Sequence, residues 1–218
     1  MPEQMDNARV EAQKDVRDVR SRITRLDDDG IDLVLRRART HYSWADMPVT
    51  GDDLRQIYDI MIMGPTSNNG CPIRLFFTRS QESKERMIPA LHGNNVEKAV
   101  TAPACAILAY DMEFYEKLPV LFPHRPTKKQ MFIENKQRAD DDAFRNGTLQ
   151  GAYFIIAARA LGFDVGPISG FDNEMIDKEF FAGTTLRSNF ICGIGHGKEA
   201  DVWQKLPRPP FEELCEII

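Results

Sequence analysis

The stretch Met61-Ile62-Met63-Gly64-Pro65-Thr66-Ser67-Asn68-Asn69-Gly70-Cys71-Pro72 separates two apolar patterns of different period. Before it, Asp52 and Asp53 open an amphipathic helical pattern through Leu54, Ile57, Tyr58 and Met61. After it, Ile73-Arg74-Leu75-Phe76-Phe77 reads as a strand. Pro and Gly fix the backbone at both ends of the loop, and short hydroxyl and amide side chains fill it. Two readings follow: an ordinary helix-to-strand turn, or a cradle for a heteroatom-rich ligand such as a phosphate, a flavin ring or a nucleobase.

Working outward, residues 2–29 are dense in opposite charges three or four apart, with a thin stripe of Val16, Val19, Ile23 and Leu26. This predicts a solvated helix laid on the body or on a partner, stopped by Asp27-Asp28-Asp29-Gly30. Downstream of the loop, helices are expected near 82–91, 94–100 and 173–181. Ala104 to Tyr110 is a continuous apolar run, the pattern of a buried central strand. The segment 111–138 is aromatic and broken by Pro119, Pro123 and Pro126, as expected of a lid, an arm or a dimer-contact excursion. From Asp140 to Leu161 runs the longest helical pattern, apolar nearly all round over Leu149 to Ala160, so it is expected to be the buried central helix. Phe163 to Phe171 reads as a second Gly/Pro-rich loop, and Phe190 to Gly195 as a third strand. There is no internal repeat and no long linker. The expected architecture is one α+β domain over 30–218, preceded by a charged helical extension over 1–29.

Composition narrows the function. A chain of 218 residues with 42% hydrophobic and 28% charged residues is long enough to bury a proper core. A net charge of −5 argues against nucleic acid as the main partner, because phosphate backbones demand a basic surface. Cys71, Cys105, Cys192 and Cys215 show no metal-type spacing, and two of them lie in apolar runs, so reduced core thiols are expected. No apolar run approaches the ~20 residues of a membrane span, which predicts a cytoplasmic, membrane-free protein.

Familiar catalytic motifs are missing. Gly193-Ile194-Gly195-His196-Gly197 lacks the spacing and context of a dinucleotide fingerprint, and no Walker loop or Gly-x-Ser-x-Gly occurs. His41, His92, His124 and His196 are far apart with no partner at ligand spacing, so no metal is expected. The chemistry therefore falls to a borrowed cofactor, or there is none. Three places suit an anionic cofactor: Arg37 and Arg39 with Thr40, the proline-flanked Arg208, and Asn95 with Lys98 on one helical face. Each taken singly also fits an ordinary solvent-facing group.

Taken in order, the fragments resemble the nitroreductase-like FMN flavoproteins. They are Arg39-Thr40, Trp44, Pro48-Val49, Gly64-Pro65-Thr66-Ser67-x-Asn69-x-x-Pro72, Asn95-x-x-Lys98, Ala102-Pro103, the run Gly162 to Asp172, and Gly195 with Leu206-Pro207-Arg208. Ala38-Arg39-Thr40-His41, Phe114 to Pro119, Leu121-Phe122-Pro123-His124, Gly166 to Asp172 and Phe180-Phe181-Ala182-Gly183 look most like the malonic semialdehyde reductase subfamily of pyrimidine degradation.

The resemblance implies a three-layer sandwich, mainly antiparallel sheet flanked by helices, and an intertwined homodimer with FMN at the interface. It implies Arg39, Thr40 and Arg208 at the FMN phosphate, and Pro65, Thr66, Ser67 and Asn69 reaching the flavin from the partner subunit. Asn95 would sit at the ring's polar edge, Lys98 near N1/O2, and Ile168, Ser169 and Gly170 on the opposite side. No side chain is certain to be catalytic; Ser169 and Lys98 are the candidates. Two departures stand out. Ser169 replaces a common Glu, and Tyr42 occupies the second basic position of Arg-x-Ser-x-Arg or Lys, so Arg37 or His41 is a further phosphate candidate. The implied activity is ping-pong hydride transfer from NADH or NADPH through flavin N5 to a small-molecule acceptor, malonic semialdehyde, giving 3-hydroxypropionate. A nitroaromatic or quinone acceptor is the alternative, and a non-catalytic flavin-binding module is the reading from another class.

Overall fold

The computed structural model describes residues 2–218, with side chains from Asn7 onward. Residues up to Ala38 form one compact unit and Arg39–Ile218 another. In the first, the N-terminal helix Pro2–Arg22 ends before the predicted Asp-Gly stop, and Val16, Val19, Ile23 and Leu26 are all exposed. Asp27 caps the next turn, Asp28–Ile31, by accepting from the Gly30 N–H at 2.8 Å. A wide π-type turn over Asp32–Arg36 follows, fastened by Arg36 to Asp28 at 2.9 Å and to Asp32 at 3.1 Å.

The second unit is built on four strands: β1 Ile73–Thr78, β2 Ala104–Asp111, β3 Asp164–Ile168 and β4 Leu186–Gly195. They lie in the order β1-β2-β4-β3, every neighbouring pair antiparallel. Every residue from Ala104 to Ala109 is buried, so both faces of β2 need cover. Alternation along the strand sends successive side chains to opposite faces. Cys105, Ile107 and Ala109 join Trp44, Leu91, Ala99, Ile168, Phe171, Ile176 and Phe181 on one face. Ala104, Ala106 and Leu108 join Leu54, Ile57, Met61, Phe154, Ala157 and Val165 on the other. Helices Asn95–Val100 and Asn173–Phe180 therefore cover the first face. Helices Gly51–Met61 and Lys136–Ala160 cover the second. The result is the expected three-layer α+β sandwich.

The central helix, Lys136–Ala160, starts four residues earlier than its sequence pattern, because Asn135 accepts from the Arg138 N–H at 3.0 Å and caps it there. It lies close on the sheet because its facing residues are small. A Cβ on Gly151 would stand 2.5 Å from the Phe190 ring, so only glycine allows this approach. Its apolar stretch is also less uniform than its composition suggests, since Leu149 is exposed while Gln150 is fully buried.

Two predicted elements change. Asp164–Ile168, read as loop, is strand β3. Gly166-Pro167 is a turn signal by composition, but an edge strand tolerates a proline, whose missing N–H need not feed a ladder. The single helix expected near 82–91 splits into a helix Gln81–Glu85 and a 3-10 turn Ile88–Ala90, since Pro89 interrupts it. The excursion 111–138 builds its own small core from Phe114, Tyr115, Leu118 and Phe132 against Ala139 and Ala143 of the central helix.

Phe154 is fully buried in the helix–sheet seam and tilts against Phe77 with ring centroids 6.3 Å apart. Phe154→Ala is expected to cost about 3–5 kcal/mol by lost burial and a residual cavity, read by equilibrium denaturation.

Candidate active site

The site grows from a short extended segment, Thr40 to Trp44, laid beside the sheet edge. Thr40 bridges Val165 of β3 in parallel, and Trp44 bridges Gly197 just past β4. The His41 N–H donates to the Val165 carbonyl at 3.1 Å. Trp44 is buried in the core, and its indole N–H donates to the Lys98 carbonyl at 3.1 Å, tying this segment to helix Asn95–Val100.

That helix grips the end of β3. Lys98 Nζ donates to the Pro167 carbonyl at 2.7 Å, and Asn95 Nδ2 donates to the Gly170 carbonyl at 3.0 Å. A Cβ on Gly170 would collide with the Asn95 amide, so the glycine is needed for this close approach. Leu91 bridges Phe171, and the His92 N–H adds a bond to the Gly170 carbonyl at 3.0 Å. Asn95 and Lys98 are thus both bonded to the segment Pro167 to Gly170, which carries Ser169. Ser169 is exposed, whereas the Ile168 side chain is buried in the core, so only its backbone is free to line a site.

Lys98 is 3% exposed, and burial pushes its pKa below the usual lysine range. No described carboxylate pairs with it. Its ammonium has the Pro167 carbonyl and, 4.5 Å away, the face of the Tyr42 ring. A cation over an aromatic face gains about 0.5–2 kcal/mol, more when desolvated. Tyr42, Asn94, Glu97, Lys98 and Trp203 line one cavity of about 310 Å³. A buried cation held by dipoles alone suits an anionic ligand, including a ring system that acquires negative charge on reduction.

The loop 65–71 is fastened elsewhere. The Ser67 N–H donates to Asn146 Oδ1 at 2.8 Å, Asn69 Nδ2 donates to the Leu121 carbonyl at 2.8 Å, and the Tyr153 hydroxyl donates to the Pro65 carbonyl at 3.1 Å. Thr66 Oγ1 accepts the Cys71 N–H at 3.3 Å. Asn68, Asn69 and Cys71 all have left-handed φ, at 52°, 51° and 40°. Such backbone costs on the order of 1 kcal/mol or more per residue and gathers at functional loops. Among the described residues, no hydrogen bond joins this loop to Thr40, Asn95, Lys98 or Ser169. One chain therefore presents two separate halves of the predicted site.

The basic candidates are scattered. Arg39 is half-buried, and its carbonyl accepts from Arg159 at 3.3 Å. Arg37 is exposed and belongs to the unit ending at Ala38, where its N–H donates to the Asp32 carbonyl at 3.0 Å. Arg208 lies on the exposed tail, folded back on the carbonyls of Leu206 and Pro207. His41 points its ring inward. Nε2 meets Asp164 Oδ1 at 3.1 Å, while Nδ1 is buried without a partner against Gly197.

A profile described as the nitroreductase family matches residues 35–196. The chain belongs to the nitroreductase family. A relative in Cupriavidus pinatubonensis, provisionally named an NADH dehydrogenase/NAD(P)H nitroreductase, is 52% identical over 189 residues, 86% of this chain and 96% of that protein. Among solved structures, a provisionally named nitroreductase from Bacillus subtilis superposes with a TM-score of 0.79 at 22% identity, over 87% of this chain and 99% of that one. Another, from Exiguobacterium sibiricum and solved in complex with FMN, gives 0.77 at 21% identity, over 89% and 99%. At those identities the superpositions establish the fold alone.

Asn146, Gln150 and Tyr153, which receive the loop or the start of β1, escaped sequence reading. Gln150 Oε1 accepts the Ile73 N–H at 3.1 Å. Their spacing of four and three residues on one helix face was the available signal. The His41–Asp164 pair had none, since 123 residues separate its members.

Asp164 also supports a pH prediction. Burial alone would raise its pKa, but bonds from His41 and from the Gly197 N–H at 2.8 Å outweigh that and hold it below the ordinary 3.8. A lowered folded-state value means that the stabilisation is complete above the unfolded pKa and is lost as pH falls through the folded one. Asp164→Asn is expected to cost about 1–2 kcal/mol at neutral pH, discounted for its partial exposure. The gap to the parent protein should close below about pH 4, as read by denaturant midpoints across pH.

Proposed function

We propose that this nitroreductase-family chain is an FMN-dependent NAD(P)H oxidoreductase, working as a homodimer with residues 30–218 as the FMN-binding domain and 1–29 as a helical extension. The observation that carries the reading is Lys98: a buried ammonium with no carboxylate partner among the described residues, at the junction of the Thr40–Trp44 segment, helix Asn95–Val100 and the end of β3. The relatives' printed names support the same class. Bound FMN would supply a ring that accepts hydride from NADH or NADPH and passes it to an acceptor.

The chain's own residues hold and bias that ring. Arg39, Thr40 and Arg208 are assigned to the phosphate, with Arg37 a further candidate. His41 is better assigned to the Asp164 pair than to the phosphate. Lys98 provides fixed positive charge where reduced flavin is negative, a preorganised electrostatic contribution that needs no reorganisation during turnover. Asn95 pins the Gly170 carbonyl, so the backbone around Ile168, Ser169 and Gly170 is held still beside the ring. The exposed Ser169 is assigned to positioning the acceptor.

The dimer assignment rests on the split between the two halves of the site. Pro65, Thr66, Ser67 and Asn69 sit on a strained loop that makes no hydrogen bond to Lys98 among the described residues, and a second copy would bring them to its flavin. The tail from Val202 onward is also largely exposed, with Trp203, Leu206, Phe211 and Leu214 open. We assign malonic semialdehyde as the acceptor on the subfamily resemblance. Phe122 and His124 pack with ring centroids 4.1 Å apart beside Arg125 in the excursion, and Arg125 suits a small carboxylate. Nitroaromatics or quinones are the alternative acceptors. Four unpaired cysteines suit a reducing, cytoplasmic setting.

Purified protein is expected to be yellow, or to become so with FMN, and to bleach anaerobically with NADH or NADPH. A yellow protein that neither nucleotide bleaches would mark a non-catalytic flavin carrier, and failure to bind FMN would end the flavin reading. In steady-state assays, malonic semialdehyde is expected to give a higher kcat/KM than nitrofurazone. Turnover of nitrofurazone alone would overturn the acceptor assignment.

A further inference from the structure

Lys98 and Lys84 are both buried, and the contrast between them is informative. Lys84 is 7% exposed and caps a helix end, donating to the carbonyls of Ala102 and Val100. Its partners are backbone groups at the negative end of helix Asn95–Val100, which is a structural role. Lys98 has a single carbonyl, that of Pro167, and otherwise meets the Tyr42 ring face. Tyr42 and Lys98 also line the same 310 Å³ cavity.

The charged groups near Lys98 offer no substitute for that ring. Cys105 from β2 and Cys192 from β4 are fully buried, and burial pushes each thiol up to about 12, so both are neutral at ordinary pH. Glu97 is the one carboxylate lining the cavity, and it is exposed and makes no ion pair with Lys98 among the described residues. The aromatic face of Tyr42 attracts the Lys98 ammonium.

We propose that Tyr42 is a positioning residue whose ring face holds the Lys98 ammonium charged and in place, so that this cation biases the cleft toward reduced over oxidised flavin. This rests on the FMN reading above. The ring contributes through its quadrupole, not its hydroxyl, so the two functions separate by substitution.

Three variants test this: Tyr42→Phe, which keeps the ring; Tyr42→Leu, which keeps apolar cover without it; and Tyr42→Met, should the leucine variant fail to fold. Tyr42 is 49% exposed, so its replacement leaves the core untouched. In the flavin-free protein, the Lys98 titration is followed by NMR with isotope-labelled lysine. In the FMN-loaded protein, the flavin midpoint potential is measured by spectroelectrochemistry. Tyr42→Phe is expected to match the parent in both. Tyr42→Leu is expected to lower the protonated-to-neutral ratio of Lys98 about tenfold at a given pH, and to weaken the preference for reduced flavin about tenfold, a midpoint about 30 mV lower for a two-electron couple. A leucine variant with parental Lys98 titration and potential would overturn the proposal, as would a phenylalanine variant that behaves like leucine. If no variant binds FMN, the flavin reading fails separately, and the lysine titration alone decides whether Tyr42 holds Lys98.

Discussion

The structure depends on the burial of β2 on both faces. Six consecutive residues, Ala104 to Ala109, are shut away from water. Such a strand is stable only between two layers of helix, because each face of alternate side chains must meet apolar cover. One layer is the long helix Lys136–Ala160 with Gly51–Met61. The other is made of shorter pieces, Asn95–Val100 and Asn173–Phe180, and those leave room for a cleft. Asn95 and Lys98, two of the candidate site residues, lie where the second layer meets the end of β3.

Within that cleft, geometry comes from backbone carbonyls as much as from side chains. Asn95 and Lys98 spend their donors on Gly170 and Pro167, which locks the end of β3 against the helix. Among the described residues no carboxylate pairs with the buried Lys98, and burial lowers its pKa. The loop 65–71 stores strain of a different kind, three non-glycine residues in left-handed backbone. It holds that shape because Asn146, Tyr153 and the Leu121 carbonyl over-determine it. Strain and uncompensated charge thus lie in separate parts of one chain, a division that a second copy could join.

Local pattern exposed the loop, the buried strand β2, the central helix and the pairing of Asn95 with Lys98, because each is a matter of period or of neighbours on one helix face. It failed where long-range partners decide. Asp164–Ile168 carries the signature of a loop, and becomes a strand only because β4 and the Thr40 segment lie on either side of it. Ile168 looked like a site residue by position, yet its side chain is core. Gln150 and Tyr153 were concealed inside an apolar run whose composition suggested burial, and Asn146 lies in the polar turn before it.

Sequence alone determined the α+β class, the order of the main elements and the family resemblance, since periodicity, proline and glycine punctuation and short motifs are properties of neighbouring residues. Tertiary structure alone decided that His41 turns inward to Asp164, that Lys98 faces a carbonyl and an aromatic ring, and that the loop 65–71 stands apart from both. Those outcomes depend on contacts between residues tens of positions apart, whose energies no local pattern encodes.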